Sequence, residues 1–212
     1  MQENIDEARP RAARDDKRDA IIRTALAAFL TDGYAATSMS SVAAKVGGSK
    51  ATLYNYFKSK EELFTAICER KCEQFQMFLH EAEIESGGDL KATLTSFGER
   101  FVAFVLSDDS VATFRMAIAE AERFPEIGQA IYNSGVRQNQ RRMTAFLGQA
   151  KDAGQLRDDA DVTCAAEQFL DLCLSGLHRR RLWNVTPHPS REEIHGNVAR
   201  AVETFMRAYA VY

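Results

Sequence analysis

Residues 37–63 decide the fold of this chain, and they read TSMSSVAAKVGGSKATLYNYFKSKEEL. Ser38 and Ser49 can each N-cap a short helix, the first over residues 39–46 and the second over residues 50–57. The glycine pair between these two helices predicts a tight turn. Two short helices joined in this way are typical of a helix-turn-helix unit.

A longer amphipathic helix precedes this unit, and a capping box follows it. We expect the first helix from about residue 16 to residue 32, because apolar residues recur there with a helical period: Ile21, Ile22, Ala25, Leu26 and Phe29. Ser59 and Glu62 form the capping box, which opens a long helix through about Glu85.

The chain is thereby divided into three parts. Residues 1–15 mix charges without periodicity and are expected to form a disordered arm. Residues 16–58 are expected to form a three-helix domain, and residues 59–212 a larger helical domain. The arginines of the arm either reach a DNA minor groove or only solubilise the tail; they are Arg9, Arg11 and Arg14.

The N-terminal end of the second short helix suits the major groove of DNA. That end must be small and polar to enter the groove, and Ser49 begins it. Lys50 can donate to guanine O6 or N7, and Thr52 can offer a hydroxyl or a methyl group to a base edge. Ala51 has almost no side chain and permits close approach. The alternative is a purely structural helical corner.

Polar side chains around this end can bind the DNA backbone. Tyr54, Asn55 and Tyr56 carry hydroxyl and amide donors that suit phosphate oxygens. Ser38 places a hydroxyl and free backbone N–H groups at a helix N-terminus, where phosphate binds readily. Lys60 adds a cation at the end of the unit.

The charge distribution agrees with a polyanionic partner at one end of the chain. Residues 9–60 carry ten Lys or Arg against four Asp, whereas residues 61–212 carry 17 basic against 23 acidic residues. A basic N-terminal part on an acidic body indicates binding of nucleic acid, or else chance clustering of solvated charges. The acidic body argues against a non-specific architectural DNA binder.

The composition indicates an all-α protein of about nine helices. Only four prolines occur in 212 residues, and none lies between residues 11 and 124. No apolar run approaches the roughly 18 residues of a membrane span, and the polar N-terminus has no apolar signal segment. Four cysteines form no disulfide framework, so we expect a cytoplasmic protein.

The last two predicted helices carry the expectation of a homodimer. Their apolar stripes are wider than one helix face, so one side can pack on the body and the other on a second copy. The alternative is a central core in a monomer. The expected interface residues are Phe169, Leu170, Leu174, Leu177, Val198, Val202, Phe205 and Tyr209.

The middle helices carry the candidate ligand pocket. An aromatic-rich wall would take a largely apolar or aromatic compound of modest size, although aromatics at helical spacing also form ordinary core. Arg115 and Glu120 are the polar groups expected to face inward. The other pocket candidates are Phe97, Phe101, Phe104, Met116 and Tyr132.

The cysteines offer an alternative sensor. Cys68 and Cys72 lie four residues apart on one predicted helix, so a redox or metal pair is conceivable. No second pair or nearby histidine supports a metal, and Cys164 and Cys173 fit small buried residues equally well. We expect no metal and no cofactor. No catalytic motif is present, so no enzyme activity is expected.

A longer motif resembles the signature of the TetR/AcrR family of transcriptional regulators. It comprises Gly33-Tyr34, Thr37-Ser38-Met39, Val42-Ala43, Val46-Gly47, Ser49-Lys50, Thr52-Leu53-Tyr54, Tyr56-Phe57, Ser59-Lys60-Glu61 and Leu63. Two departures matter: Gly48 stands where a small apolar residue usually packs, and Ala51 replaces a common glycine. The strings Phe124-Pro125-Glu126 and Ala166-Glu167-Gln168-Phe169 are similar to a subgroup related to AefR.

The resemblance implies a homodimeric repressor that binds a palindromic operator and is released by a small molecule. By motif position, it implies Lys50, Ala51 and Thr52 as base readers. It implies phosphate contacts from Ser38, Ser49, Tyr54, Asn55, Tyr56 and Lys60.

Overall fold

The computed structural model describes the backbone of residues 8–211 and the side chains of residues 14–71, 73 and 76–211. Its helices are α1 (Ala8–Asp32), α2 (Met39–Val46), α3 (Lys50–Tyr56), α4 (Lys60–Ser86), α5 (Leu90–Val105), α6 (Asp108–Glu120), α7 (Pro125–Ala130), α8 (Arg137–Asp152), α9 (Val162–Leu174), α10 (Leu177–Leu182) and α11 (Arg191–Tyr209). A π-helical segment, Ile131–Val136, joins α7 to α8. The predicted all-α class is confirmed.

The first helix begins earlier than the sequence pattern suggested. α1 starts at Ala8, so the expectation of disorder over residues 8–15 is wrong, and residues 1–7 lie outside the described residues. Pro10 is the third residue of α1. Backbone N–H groups in the first turn have no partner within the helix, so proline is tolerated there.

Two predicted helices are interrupted in the structure. The helix expected from Pro125 to about Ala153 contains the π-helical segment. The helix expected from Asp161 to about Trp183 breaks at Gly176, whose φ of 76° lies in the left-handed region. Apolar periodicity continues across both breaks, so it did not reveal them.

The described helices form two compact units that do not follow the predicted boundary. The first unit runs to Arg70 and includes Met116–Ile131; the second comprises Lys71–Arg115 and the chain from Tyr132 onward. The predicted boundary near residue 58 lies inside the first unit, because the first turns of α4 carry buried side chains of its core, Leu63, Phe64 and Ile67.

The second unit is built on α5, α9 and α11. Phe97, Phe169 and Phe205, one from each helix, are fully buried, and the Phe169 and Phe205 rings pack edge-to-face with centroids 5.3 Å apart. α5 and α11 approach closely at Gly98: a Cβ atom there would lie 2.7 Å from Val198 Cγ1. A glycine is therefore required at this crossing.

Most of the predicted dimer-interface residues belong to this core. Phe169, Leu170, Leu177, Val198, Val202 and Phe205 are buried within a single chain. α9 and α11 bury these side chains by packing against each other and against α5 and α8, so the six side chains are not available to a second copy. Leu174 and Tyr209 remain partly exposed.

Among the described residues, no helix combines the length and the apolar character that crossing a membrane requires.

Candidate nucleic-acid interface

The start of α2 is closed by a capping box. Ser38 Oγ accepts from the Ser41 amide at 3.1 Å, and the Ser38 amide donates to Ser41 Oγ at 3.0 Å. The Ser38 amide is therefore not free for a phosphate, as the sequence suggested it would be. Ser38 itself is exposed, so its hydroxyl faces solvent at the predicted position.

The turn between α2 and α3 depends on a single left-handed residue. Gly47 has φ 74°, where a side chain is strained. Gly48 has an ordinary φ, and a Cβ atom there would lie 4.0 Å from Thr52 Cβ. Gly48 thus leaves room for a Cβ atom at the position where the family motif usually has an apolar residue.

α3 presents its polar N-terminal end and buries its other side. Ser49 Oγ accepts from the Thr52 amide at 3.0 Å and lies 2.9 Å from Thr52 Oγ1. Lys50 and Ala51 are exposed, whereas Leu53 is only 2% exposed and anchors the helix to the core. The four predicted groove-facing residues therefore lie together at one end of a fixed helix.

The predicted phosphate-binding residues follow along α3. Tyr54 and Asn55 are exposed, and Tyr56 is half-buried. The Lys50 ammonium lies 5.7 Å from the centre of the Tyr54 ring, close enough for a cation–π interaction. This contact biases Lys50 along the exposed surface of α3.

Lys60 is engaged inside the first unit rather than free for DNA. Its ammonium donates to the backbone oxygens of Tyr34 at 2.9 Å and Thr37 at 3.2 Å. The same ammonium lies 4.1 Å from the centre of the Tyr34 ring and 5.6 Å from that of Phe124. Sequence spacing could not reveal these partners, since they lie more than twenty residues away on both sides.

Tyr34 and Phe124 extend this cluster into the segment 116–131. Their rings pack edge-to-face with centroids 5.3 Å apart, and Tyr34 is fully buried. The Tyr34 hydroxyl has no hydrogen-bond partner among the described residues, and burial raises its pKa well above the usual range. Residues of α6 and α7 thus complete the core beneath the helix-turn-helix unit.

Two arginines of α1 lie beside the end of α3. The Arg14 guanidinium is 6.0 Å from the centre of the Tyr56 ring, and the Arg18 guanidinium is 5.3 Å from that of Phe57. The sequence pattern singled out Arg14 in an arm and placed Arg18 on the first helix without a role, because the contact of these residues with the distant end of α3 is not visible in the sequence. The side chains of Arg9 and Arg11 lie outside the described residues.

The predicted ligand-pocket residues are divided between the two units. Phe97 and Phe101 stack in the core of the second unit with centroids 5.7 Å apart, and Phe104 packs against Phe78. Tyr132 is 55% exposed. In the first unit, Met116 packs against the core and Glu120 is half-buried at the end of α6.

The Arg115 side chain caps the C-terminal end of α10 and does not line an open cavity. Its side chain donates to the backbone oxygens of Leu182 at 2.8 Å and Arg181 at 2.6 Å. Such capping satisfies carbonyl groups that have no partner within α10. Arg181 itself is buried and paired with Asp108.

The described cysteines differ in environment. Cys68 and Cys173 are buried and unbridged, and burial raises the pKa of the Cys173 thiol to about 12. Cys164 is exposed, contrary to its expected place in the core, and accepts a hydrogen bond from Gln168. The Cys72 side chain lies outside the described residues. Among the described side chains, no group of three metal-ligating residues is assembled.

These features define the class of protein: a DNA-binding protein with an N-terminal helix-turn-helix unit and an all-helical remainder. Two family models match the chain. Residues 21–67 match that of bacterial regulatory proteins of the TetR family. Residues 92–211, more than half of the chain, match that of the C-terminal domain of AefR-like transcriptional repressors. The chain belongs to the TetR family of transcriptional regulators, and its DNA-binding function follows from that membership.

Characterised relatives agree with this assignment. The transcriptional repressor ComR of Escherichia coli is 29% identical over 76% of this chain and 77% of its own length. The flavonoid-responsive regulator FrrA is 33% identical, with a TM-score of 0.76 over 92% of this chain and 98% of its own. SmeT, the repressor of the multidrug efflux pump SmeDEF in Stenotrophomonas maltophilia, is 26% identical, with a TM-score of 0.62 over 92% and 90% of the two chains.

Proposed function

We propose that this protein is a repressor that binds a palindromic DNA operator as a homodimer and is released by a small, largely apolar or aromatic ligand. The observation that carries the proposal is the exposed polar end of α3, where Lys50 and Ala51 stand next to the paired hydroxyls of Ser49 and Thr52. An end of this kind enters the major groove, and base contacts there give specificity.

The DNA contacts divide into base readers and backbone contacts. Lys50, Ala51 and Thr52 read bases, because they are the groove-facing residues at the start of α3. Exposed hydroxyl and amide groups bind phosphates; they belong to Ser38, Ser49, Tyr54, Asn55 and Tyr56. Lys60 has a supporting role in the helix-turn-helix. Its ammonium binds two backbone oxygens just before α2 and so fixes where that helix begins.

The second copy packs against the outward faces of α9 and α11. α5 packs on α11 and α9, and α8 packs on α9, so a partner would take the surface of this helix pair that neither α5 nor α8 covers. The exposed residues of this helix pair include small and polar ones: Ser175 at the C-terminal end of α9, and Thr204 and Ala208 on α11. A two-fold axis there would pair like faces and present two copies of α3 to two half-sites.

The effector binds the second unit among partly exposed aromatic side chains. Phe78 and Phe104 pack edge-to-face there, and Phe114 contacts His178. An aromatic effector agrees with the flavonoid response of FrrA and with the multidrug pump that SmeT represses. Release of DNA requires only that the ligand binds the DNA-incompetent form more tightly.

Selection of bound duplexes from a random DNA pool tests the proposal. We expect an enriched palindrome with half-sites about one helical turn apart. Retention of DNA without an enriched motif would instead show non-specific binding. Failure to retain any DNA at low salt would contradict the proposed function, unless a corepressor restores retention.

A further inference from the structure

The exposed face of α1 next to α3 is basic, and the opposite face is acidic. At 3.6 residues per turn, Arg14, Lys17 and Arg18 fall on one side of the helix. Asp15, Asp16 and Asp19 fall toward the other side. This separation brings the positive side of α1 to the DNA-binding surface, although α1 as a whole carries nearly balanced charge.

The two arginines are held by aromatic rings and not by carboxylates. Arg14 and Arg18 are exposed, and among the described residues neither forms an ion pair. Other cations of the same unit do form one: Arg70 pairs with Asp19, and Lys45 pairs with Asp32 at 2.5 Å. A guanidinium lying on a ring keeps its N–H edge available for a second partner.

The location of the rings identifies the second partner. Tyr56 and Phe57 close α3 at its C-terminal end, away from Ser49. Tyr56 is itself a proposed phosphate contact. Guanidinium groups beside it are suited to bidentate binding of phosphate oxygens.

We propose that Arg14 and Arg18 bind consecutive phosphates of the DNA strand that passes the C-terminal end of α3, which makes α1 a second DNA-binding element. This inference rests on the proposed DNA-binding function and adds the α1 surface to it. The contacts carry no base information, so they raise affinity for all sequences alike.

The experiment measures binding as a function of salt for the full-length protein. The probes are a duplex with the selected operator and a random-sequence duplex of equal length. The test variant is the double substitution Arg14→Ala/Arg18→Ala. The matched control is Arg23→Ala, because Arg23 is an exposed arginine of the same helix, nine residues or two and a half turns from Arg14, on its opposite side.

We expect the double variant to lose affinity about fivefold per phosphate contact at 0.15 M salt on both probes. The slope of log K against log salt should fall by about 0.9 per contact. Arg14→Lys/Arg18→Lys should retain most of the slope, since lysine keeps the charge. Arg23→Ala should resemble the unmodified protein.

Three results would overturn the inference. The first is an unchanged slope for the double alanine variant together with unchanged melting. The second is a fall in melting temperature, in both the alanine and the lysine variants, that is large enough to explain their weaker binding. That result would show that the arginines only pack on α3. The third is a loss confined to the operator. If the unmodified protein itself binds neither probe, the proposed function fails before this inference is reached.

Discussion

Lys60 shows how one side chain can change role between sequence and structure. Its position in the motif implies a phosphate contact, yet its ammonium binds two backbone oxygens and lies over the Tyr34 ring. Hydrogen bonds from a charged donor in a half-buried site contribute more to stability than exposed ones. Lys60 therefore contributes to the stability of the first unit through contacts within that unit.

Replacing Lys60 by methionine should destabilise the protein while leaving the salt dependence of DNA binding nearly unchanged. Methionine keeps the apolar stem but removes the charged donor from both oxygens, and the Tyr34 oxygen keeps only the Thr37 amide at 3.3 Å, at a cost of about 1–3 kcal/mol. Urea unfolding measures this loss. Lys58→Met is the control, because Lys58 is an exposed neighbour. A lower salt slope with unchanged stability would restore Lys60 as a phosphate contact.

Lys50 and Tyr54 should separate base recognition from backbone binding. Lys50→Ala should relax base preference at one operator position, with a cost of about 1–3 kcal/mol against the preferred base. Tyr54→Phe should weaken binding on operator and random DNA alike, because only a phosphate contact is lost. Titrations against single-base operator variants measure both. Equal loss on operator and random DNA for Lys50→Ala would refute its role as a base reader.

At the scale of elements, α5 and α11 approach each other closely where they cross. Gly98 has Val198 above it and Cys173 Sγ at 3.4 Å from its would-be Cβ, so three helices meet at one point. The sequence shows only a glycine inside an apolar helical pattern, which ordinarily weakens a helix. A glycine is needed at residue 98 because side chains of α9 and α11 pack against it, about 75 to 100 residues further along the chain.

Gly98→Ala should destabilise the second unit by about 1–3 kcal/mol, because the added methyl group overpacks a core that has no room for it. Gly148→Ala is the control: Gly148 lies in α8 with no atom within 4 Å of a would-be Cβ. That substitution should stabilise by about 0.5–1 kcal/mol. Urea unfolding measures both, and Val198→Ala combined with Gly98→Ala should recover part of the loss. Equal effects of the two glycine substitutions would rule out the clash.

At the scale of the whole molecule, the proposed dimer depends on which surfaces of α9 and α11 remain exposed in a single chain. Within one chain, the apolar stripes of α9 and α11 are largely buried by packing against each other and against α5 and α8. The proposed dimer must therefore use surface of α9 and α11 that neither α5 nor α8 covers, which on α11 is the side away from α5. His195 of α11 contacts Glu99 of α5 at 2.5 Å and marks the near side.

Ala208→Arg should weaken the dimer, whereas Ala199→Arg should not. Both alanines are exposed in the single chain. Ala199 lies one turn after His195 on the α5 side, and Ala208 lies nine residues further, on the opposite side of α11. A buried, unpaired arginine in the interface carries a desolvation cost that shifts the equilibrium toward monomer. Sedimentation equilibrium measures the effect, and the reverse ranking would place the partner on the α5 side.

The sequence by itself determined the all-α class, the helix-turn-helix unit and the family. Caps, glycine turns and apolar periods act over a few residues, so they can be recognised without a structure. α2 and α3 begin and end within one residue of where Ser38, Ser49 and the glycine pair predict. The polar end of α3 follows from the same local chemistry.

Only the tertiary structure decided the partners of the long-range contacts. The enclosure of Lys60 by Tyr34, Thr37 and Phe124, the requirement for Gly98 and the burial of the predicted dimer residues all involve segments distant in sequence. An apolar stripe states that a helix face must be buried, but it does not state by what. That choice depends on which helices pack together, and packing is decided by the shape of the whole core.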